Sequence, residues 1–128
     1  HEVETTEAMI VEALFSPRPV AEAVLAYWDG EPVGFAVYFT NFSTFSGRAG
    51  MYLEDLFVRP AARRNGIGRA LLRYLAGVCI ERKYTRFQWS VLDWNQPAIE
   101  FYKSLGAVPM DEWTVFRLAG APLENLAG

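Results

Sequence analysis

The chain has 128 residues, 52% hydrophobic, 21% charged and 15% aromatic, which suits one folded domain and excludes a disordered chain; ten Gly and seven Pro are too few for collagen-like or linker-like sequence. No run approaches the roughly 20 apolar residues of a membrane span, and the lone Cys79 excludes a disulfide framework or a Cys-based zinc site and predicts a reducing, cytoplasmic home. The formal net charge of −3 hides an asymmetry, nine acids and two bases over residues 1–55 against ten bases and six acids over 56–128, which hints at two partners of opposite sign.

Thr6–Phe15 reads as a short helix from the spacing of Met9, Ile10, Ala13 and Leu14, and Ser16-Pro17-Arg18-Pro19 breaks it. Val20–Trp28 and Val33–Phe42 read as strands joined by the turn Asp29-Gly30-Glu31-Pro32, hence a hairpin. Asn41–Gly50, rich in Ser, Thr, Asn and Gly, predicts a loop. Met51–Val58 reads as a strand that is apolar except for Glu54 and Asp55. Neighbouring strand residues point to opposite faces, so both acids line one cleft only where a bulge re-aims one of them; otherwise they are satisfied or edge-exposed.

Pro60 closes that strand. A helix is predicted from about Gly66 to Arg82 by Ile67, Leu71, Leu75, Val78 and Cys79, which places Cys79 on an apolar stripe as a small buried hydrophobe. The only histidine is His1, so no Cys–His nucleophile pair is indicated. Tyr84–Leu92 reads as a further strand. Asn95-Gln96-Pro97 opens a helix that runs through Ile99, Phe101, Tyr102 and Leu105 and stops at Gly106. Thr114–Leu118 is predicted as a last strand and Pro122–Ala127 as a terminal helical turn, giving the order α-β-β-β-α-β-α-β. Trp28, Trp89, Trp94 and Trp113 suit core packing better than base stacking in a net acidic chain, so no nucleic-acid partner is indicated.

The strongest chemical signal is Arg63-Arg64-Asn65-Gly66-Ile67-Gly68 between a strand and a helix. Glycines at that turn leave backbone N–H groups free to face an anion, as in a phosphate cradle; a merely structural glycine turn is the alternative. The P-loop pattern fails because no Lys-Ser/Thr follows Gly68, and the dinucleotide fingerprint fails because Leu71 stands where it needs a third Gly or Ala.

The RxxGxG element, with YLEDLFV at 52–58, RRNGIGRALL at 63–72 and WNQPAIEFYKSLGA at 94–107, resembles the GCN5-related N-acetyltransferases, closest to their spermidine/spermine and thialysine branch. The resemblance covers roughly residues 20–127. It implies an α/β (α+β) fold with a mixed, mostly antiparallel sheet that splays open to hold acetyl-CoA as co-substrate, with no metal. It further implies that backbone groups of Leu56, Phe57 and Val58 pair with the pantetheine arm, and that Arg63, Arg64, Asn65, Gly66, Ile67, Gly68 and Arg69 hold the pyrophosphate. Asn95, Pro97, Ala98 and Tyr102 would contact the cofactor from the other side.

By the same resemblance Tyr102 gives a proton to the leaving thiolate, although a tyrosine on a short helix beside core residues often only packs. Glu54 is the candidate base, Asp55 the holder of a cationic substrate end, and an N–H near Leu56 the oxyanion donor. The expected reaction is acetyl transfer to a polyamine, diamine or thialysine-like amine by direct attack. Alternatives are a protein N-terminus or an aminoglycoside-type amine as acceptor, or a non-catalytic acyl-CoA-binding module. A homodimer and no membrane partner are expected. Such enzymes open with a strand and helix before the region matching Thr6–Phe15, so residues 1–128 are expected to be a single domain lacking those elements.

Overall fold

Alternating apolar residues in three successive segments build the sheet. In a computed structural model, which describes residues 4–128, strands β1 (Glu22–Trp28), β2 (Glu31–Ser43) and β3 (Arg48–Val58) form an antiparallel meander. A two-residue strand, β4 (Phe87–Gln88), joins β3 in parallel, so the order is β1-β2-β3-β4. His1 and Glu2, counted above, lie outside the described residues. The first hairpin turns on Asp29 and Gly30 at φ of 52° and 80°, the left-handed pair that a tight two-residue hairpin requires.

Helix α1 (Glu7–Phe15) starts where the Thr6 hydroxyl accepts the Met9 N–H at 3.2 Å. Helix α2 (Ile67–Glu81) lays Ile67, Leu71, Leu72, Leu75 and Cys79 against the sheet, where Ala36, Tyr38, Met51 and Leu53 are buried. Burial holds the Cys79 thiol above its ordinary pKa, and its Sγ lies 3.8 Å from the Met51 sulfur, so the expected inert, buried role is borne out. A methyl group on Gly34 would sit 2.7 Å from the Phe57 carbonyl oxygen, so β2 and β3 need a glycine there to approach.

Helix α3 (Gln96–Ser104) and helix α4 (Gly120–Ala127) belong to a second compact unit from Val91 to Gly128; the first runs through Ser90 and holds the sheet, α1 and α2. The mixed, mostly antiparallel sheet matches expectation; three of its predicted limits do not. The loop expected over Asn41–Gly50 shrinks to residues 44–47, because Asn41 and Phe42 continue the ladder opposite Gly50 and Ala49. Asn41 tolerates a strand because its amide accepts from Arg86 at 2.9 Å and donates to Gln88 at 3.3 Å. The strand expected over Tyr84–Leu92 is only Phe87–Gln88, and Thr114–Leu118 forms no strand. Propensity alone makes no strand without a partner: Val115 and Phe116 are each 91% exposed.

Candidate functional site

The acid pair lies on an irregular stretch of β3. Asp55 pairs with Val37 but Leu53 pairs with Tyr38, so Glu54 is an extra residue with no partner of its own, a β-bulge. Strict alternation would send Leu53 and Leu56 to opposite faces. With the bulge, Leu53 is buried while Leu56 and Val58 face the first turn of α2, where a methyl on Gly68 would touch them at 3.9 and 4.0 Å. Glu54 and Asp55 are both left exposed, and neither forms an ion pair among the described residues.

Beyond the bulge the ladder phase decides which backbone groups are free. Arg59 donates its N–H to the Val33 carbonyl at 2.7 Å, which puts Phe57 in the phase that bonds to β2. The N–H and C=O groups of Leu56 and Val58 therefore face away from β2. On that side β3 pairs with β4 only at Met51 and Tyr52, so residues 53–58 present an edge with no strand partner, on which Arg63 occupies the Val58 carbonyl. The sheet is unzipped there, as the expected splay requires. At the root of the fork the Tyr52 hydroxyl meets the Ser90 hydroxyl at 2.5 Å.

At the far end of the open edge the chain turns through a short 3-10 segment (Pro60–Ala62) into α2. Arg64 and Gly66 adopt left-handed φ of 71° and 74°, and Gly66 caps the helix. The N–H groups of Arg64, Asn65, Gly66, Ile67, Gly68 and Arg69 donate to no acceptor among the described residues. Six amides without an acceptor beside a helix N-terminus are available to an anion. Arg64 and Arg69 are exposed around it, whereas Arg63 is committed to the loop itself: its Nε donates to the Val58 carbonyl at 3.0 Å and its guanidinium lies 5.8 Å from the Phe57 ring. The residues thus fit a phosphate-bearing ligand.

In the second unit Asn95 caps α3 by accepting the Ala98 N–H at 3.3 Å, with Pro97 in the first turn where its missing donor does no harm. Gly106 (φ 94°) ends the helix: its N–H bonds the Lys103 carbonyl at 3.0 Å and that of Ala107 bonds the Tyr102 carbonyl at 3.1 Å. This closing motif fixes the last turn, which carries Tyr102. Burial raises the Tyr102 pKa, so its phenol keeps its proton above the ordinary tyrosine range.

Tyr52, Ser90 and the pair Glu22–Arg82 carry no expectation from sequence. Arg82 grips Glu22 through two 2.7 Å bonds, which lowers the Glu22 pKa and raises that of Arg82. A hydroxyl at the head of YLEDLFV was the signal for Tyr52; Glu22 and Arg82 are 60 residues apart and left none. Among the described residues no cluster of three His, Cys, Asp or Glu side chains could hold a metal, and no helix is long and apolar enough to cross a membrane.

Residues 2–107 match the model of the acetyltransferase (GNAT) family. The chain is 39% identical over 107 residues to thialysine N-epsilon-acetyltransferase of Sus scrofa, covering 77% of this chain and 62% of the relative. It is 40% identical over 112 residues to an L-ornithine N5-acetyltransferase of Arabidopsis thaliana, covering 88% and 46%. The chain thus spans less than two thirds of the length of these two relatives. Among solved structures, an integron cassette protein from the mobile metagenome of V. cholerae matches with a TM-score of 0.82 at 32% identity, over 96% of this chain and 78% of that one.

Proposed function

Because the chain belongs to the acetyltransferase (GNAT) family, we propose that it moves the acetyl group of acetyl-CoA to a primary amine of a small cationic substrate: a polyamine, a diamine or a thialysine-like amine. One observation carries the reading. The open edge of β3 runs from a cradle of six free amides, past two exposed and unpaired carboxylates, to the fork at Tyr52. An anion, an extended amide-bearing arm and a cation find complementary groups in that order. The substrates of the porcine and Arabidopsis relatives, thialysine and ornithine, are amines of this kind.

Arg64, Asn65, Gly66, Ile67, Gly68 and Arg69 would hold the pyrophosphate through amides and charge, with Arg63 keeping the loop in shape. The Leu56 C=O and the Val58 N–H would bond the pantetheine arm as an added strand does, Phe57 serving as the residue between them that ties β3 to β2. Asn95, Pro97 and Ala98, at the start of α3, would contact the same ligand. Bound acetyl-CoA supplies an activated acyl carbon, to which the amine forms a C–N bond as the C–S bond breaks.

The chain's own residues handle the protons. Glu54, solvated on its bulge, removes one proton from the arriving ammonium through water, and Asp55 holds a second cationic end. The Leu56 N–H donates to the carbonyl oxygen as negative charge develops on it. Tyr102 gives its phenolic proton to the departing sulfur, a role that a raised pKa serves by keeping the group protonated, and the phenolate is restored to phenol by the second proton that the nitrogen sheds as it becomes an amide. The family match crosses from the first unit into the second, which supports reading both as parts of one acetyltransferase domain. We place this activity in the cytoplasm, as suits a free, buried thiol, and in a homodimer, without nucleic-acid or membrane partners.

A thiol-release assay with acetyl-CoA and a panel of spermidine, putrescine, ornithine, lysine, an aminoglycoside and an N-terminal peptide tests the reading. Release with the small diamines supports it. Release with only the peptide or the aminoglycoside moves the acceptor to that class, and tight CoA binding without release to any amine makes the chain a binding module.

A further inference from the structure

Helix α2 carries its charges the wrong way round for a helix standing alone. The positive end of a helix dipole favours acids, yet the first turn of α2 holds no acid. It holds Arg69 instead, with Arg64 just before the helix and Arg73 one turn further on. The acid of α2, Glu81, lies two turns beyond Arg73, about 12 Å down the axis. Like charges four residues apart repel each other across one helix face, and Arg69 and Arg73 are such a pair.

Nothing in the chain offsets that repulsion. Arg64, Arg69 and Arg73 are all exposed, and none of their guanidinium groups has an ion-pair or hydrogen-bond partner among the described residues. The nearest turn of cations therefore lacks the anion that its arrangement favours.

The buried stripe of Ile67, Leu71, Leu72, Leu75 and Cys79 fixes which face of α2 looks outward. At about 3.6 residues per turn, Gly66, Arg69, Ala70, Arg73 and Gly77 fall together on the opposite side. Small residues keep that face low, and a methyl group on Gly66 or Gly77 would have nothing within 4 Å. Helical side chains lean toward the N-terminus, so Arg73 reaches back over the turn of Arg69 toward the amide cradle.

The cradle and Arg69 supply donors and charge for a diphosphate, and Arg73 adds a cation one turn away on the same face. Acetyl-CoA bears a further anion at that kind of remove: a phosphate monoester on the ribose 3′ oxygen, one sugar away from the 5′-diphosphate. We infer that Arg73 holds the ribose 3′-phosphate of acetyl-CoA and so makes the chain prefer CoA over ligands that carry the diphosphate alone. The inference rests on the acetyl-CoA reading given above and adds the residue for the third phosphate, which that reading leaves unassigned.

Calorimetric titration of CoA and 3′-dephospho-CoA into the unaltered chain, Arg73→Gln and Arg73→Lys tests it without turnover. The unaltered chain should bind CoA about tenfold or more tighter than 3′-dephospho-CoA, the order of one charge-assisted hydrogen bond. In Arg73→Gln that preference should fall to about threefold or less, with 3′-dephospho-CoA bound as before. Arg73→Lys keeps the charge and should keep most of the preference. Both substitutions are at an exposed position, so an unchanged Tm is expected for each. In the unaltered chain added salt should erode the preference, because the contact is ionic and exposed; this reading needs no variant. An equal preference in the unaltered chain and Arg73→Gln, or one that salt leaves unchanged, overturns the inference while leaving the acetyl-CoA reading intact. Equal weakening of both ligands in Arg73→Gln also overturns it, by assigning Arg73 to the diphosphate. Failure of the unaltered chain to bind either ligand overturns both.

Discussion

Glu54 and Tyr102 come to their proposed roles by opposite physical means. Glu54 is exposed and unpaired because an extra residue in β3 lifts the acid pair out of the alternation; Tyr102 is half-buried, and burial makes its proton harder to lose. A base that works through water suits the first setting and an acid that must stay protonated suits the second. Tyr102→Phe should lower kcat by about 10² or more while CoA affinity, read by calorimetry, stays as it was. The sign of the pH effect follows from the raised pKa. The protonated phenol is the working form, so its loss moves upward, and the high-pH fall of kcat in the unaltered chain should begin above about 10, the ordinary tyrosine value, and vanish in Tyr102→Phe.

At the scale of elements, α2 against β2 and β3 is the frame that keeps cradle and bulge in place. Leu75 and Met51 are fully buried at its centre. Leu75→Ala should destabilise the chain by about 2–5 kcal/mol, measured as a lower urea midpoint. The grip of Arg82 on Glu22 ties the end of α2 to β1, and Arg82 also reaches the Tyr84 hydroxyl, which bonds Thr40 at 2.6 Å. Both ionic side chains are more than a third exposed, so the pair contributes under about 1 kcal/mol after screening. Because the Glu22 pKa is lowered on folding, that contribution is present above the unfolded carboxylate value and lost as pH falls through the folded one. Glu22→Gln should therefore lower Tm at pH 7, and that difference should shrink as pH falls below the ordinary carboxylate value.

The same elements show how far the sequence could be read. The Asp29-Gly30 turn, the apolar stripe of α2, the Asn95 cap and the Gly106 stop are written in residues a few positions apart, and each formed where expected. The glycine turn that opens α2 was legible for the same reason. The bulge at Glu54 was legible only as a condition, because a register is a property of two strands and one strand does not contain it. The length of β4 and the extended reach of Asn41 into β2 depend on partners up to 47 residues away, and composition pointed the wrong way for both.

For the molecule as a whole, the charge asymmetry is spread over many positions, of which Glu54 and Asp55 stand exposed on β3 and Arg64 and Arg69 stand exposed at the turn into α2. The proposed homodimer is checked by light scattering on a size-exclusion column, where twice the 14.4 kDa chain mass is expected.

The sulfur pair at the centre of the first unit has a practical meaning for all of these measurements. Cys79 is the only thiol, 6% exposed, and lies against a fully buried methionine. A thiol reagent can react with it only when the core opens, so the rate of modification at low denaturant counts openings of that unit with no introduced probe. Adding acetyl-CoA, whose sulfur is acylated and does not consume the reagent, should slow the modification in proportion to occupancy if it is held by the folded form alone. A rate unaffected by saturating acetyl-CoA would mean that the ligand and the opening of this core are independent. The chain thus carries a native reporter of the breathing of its own interior.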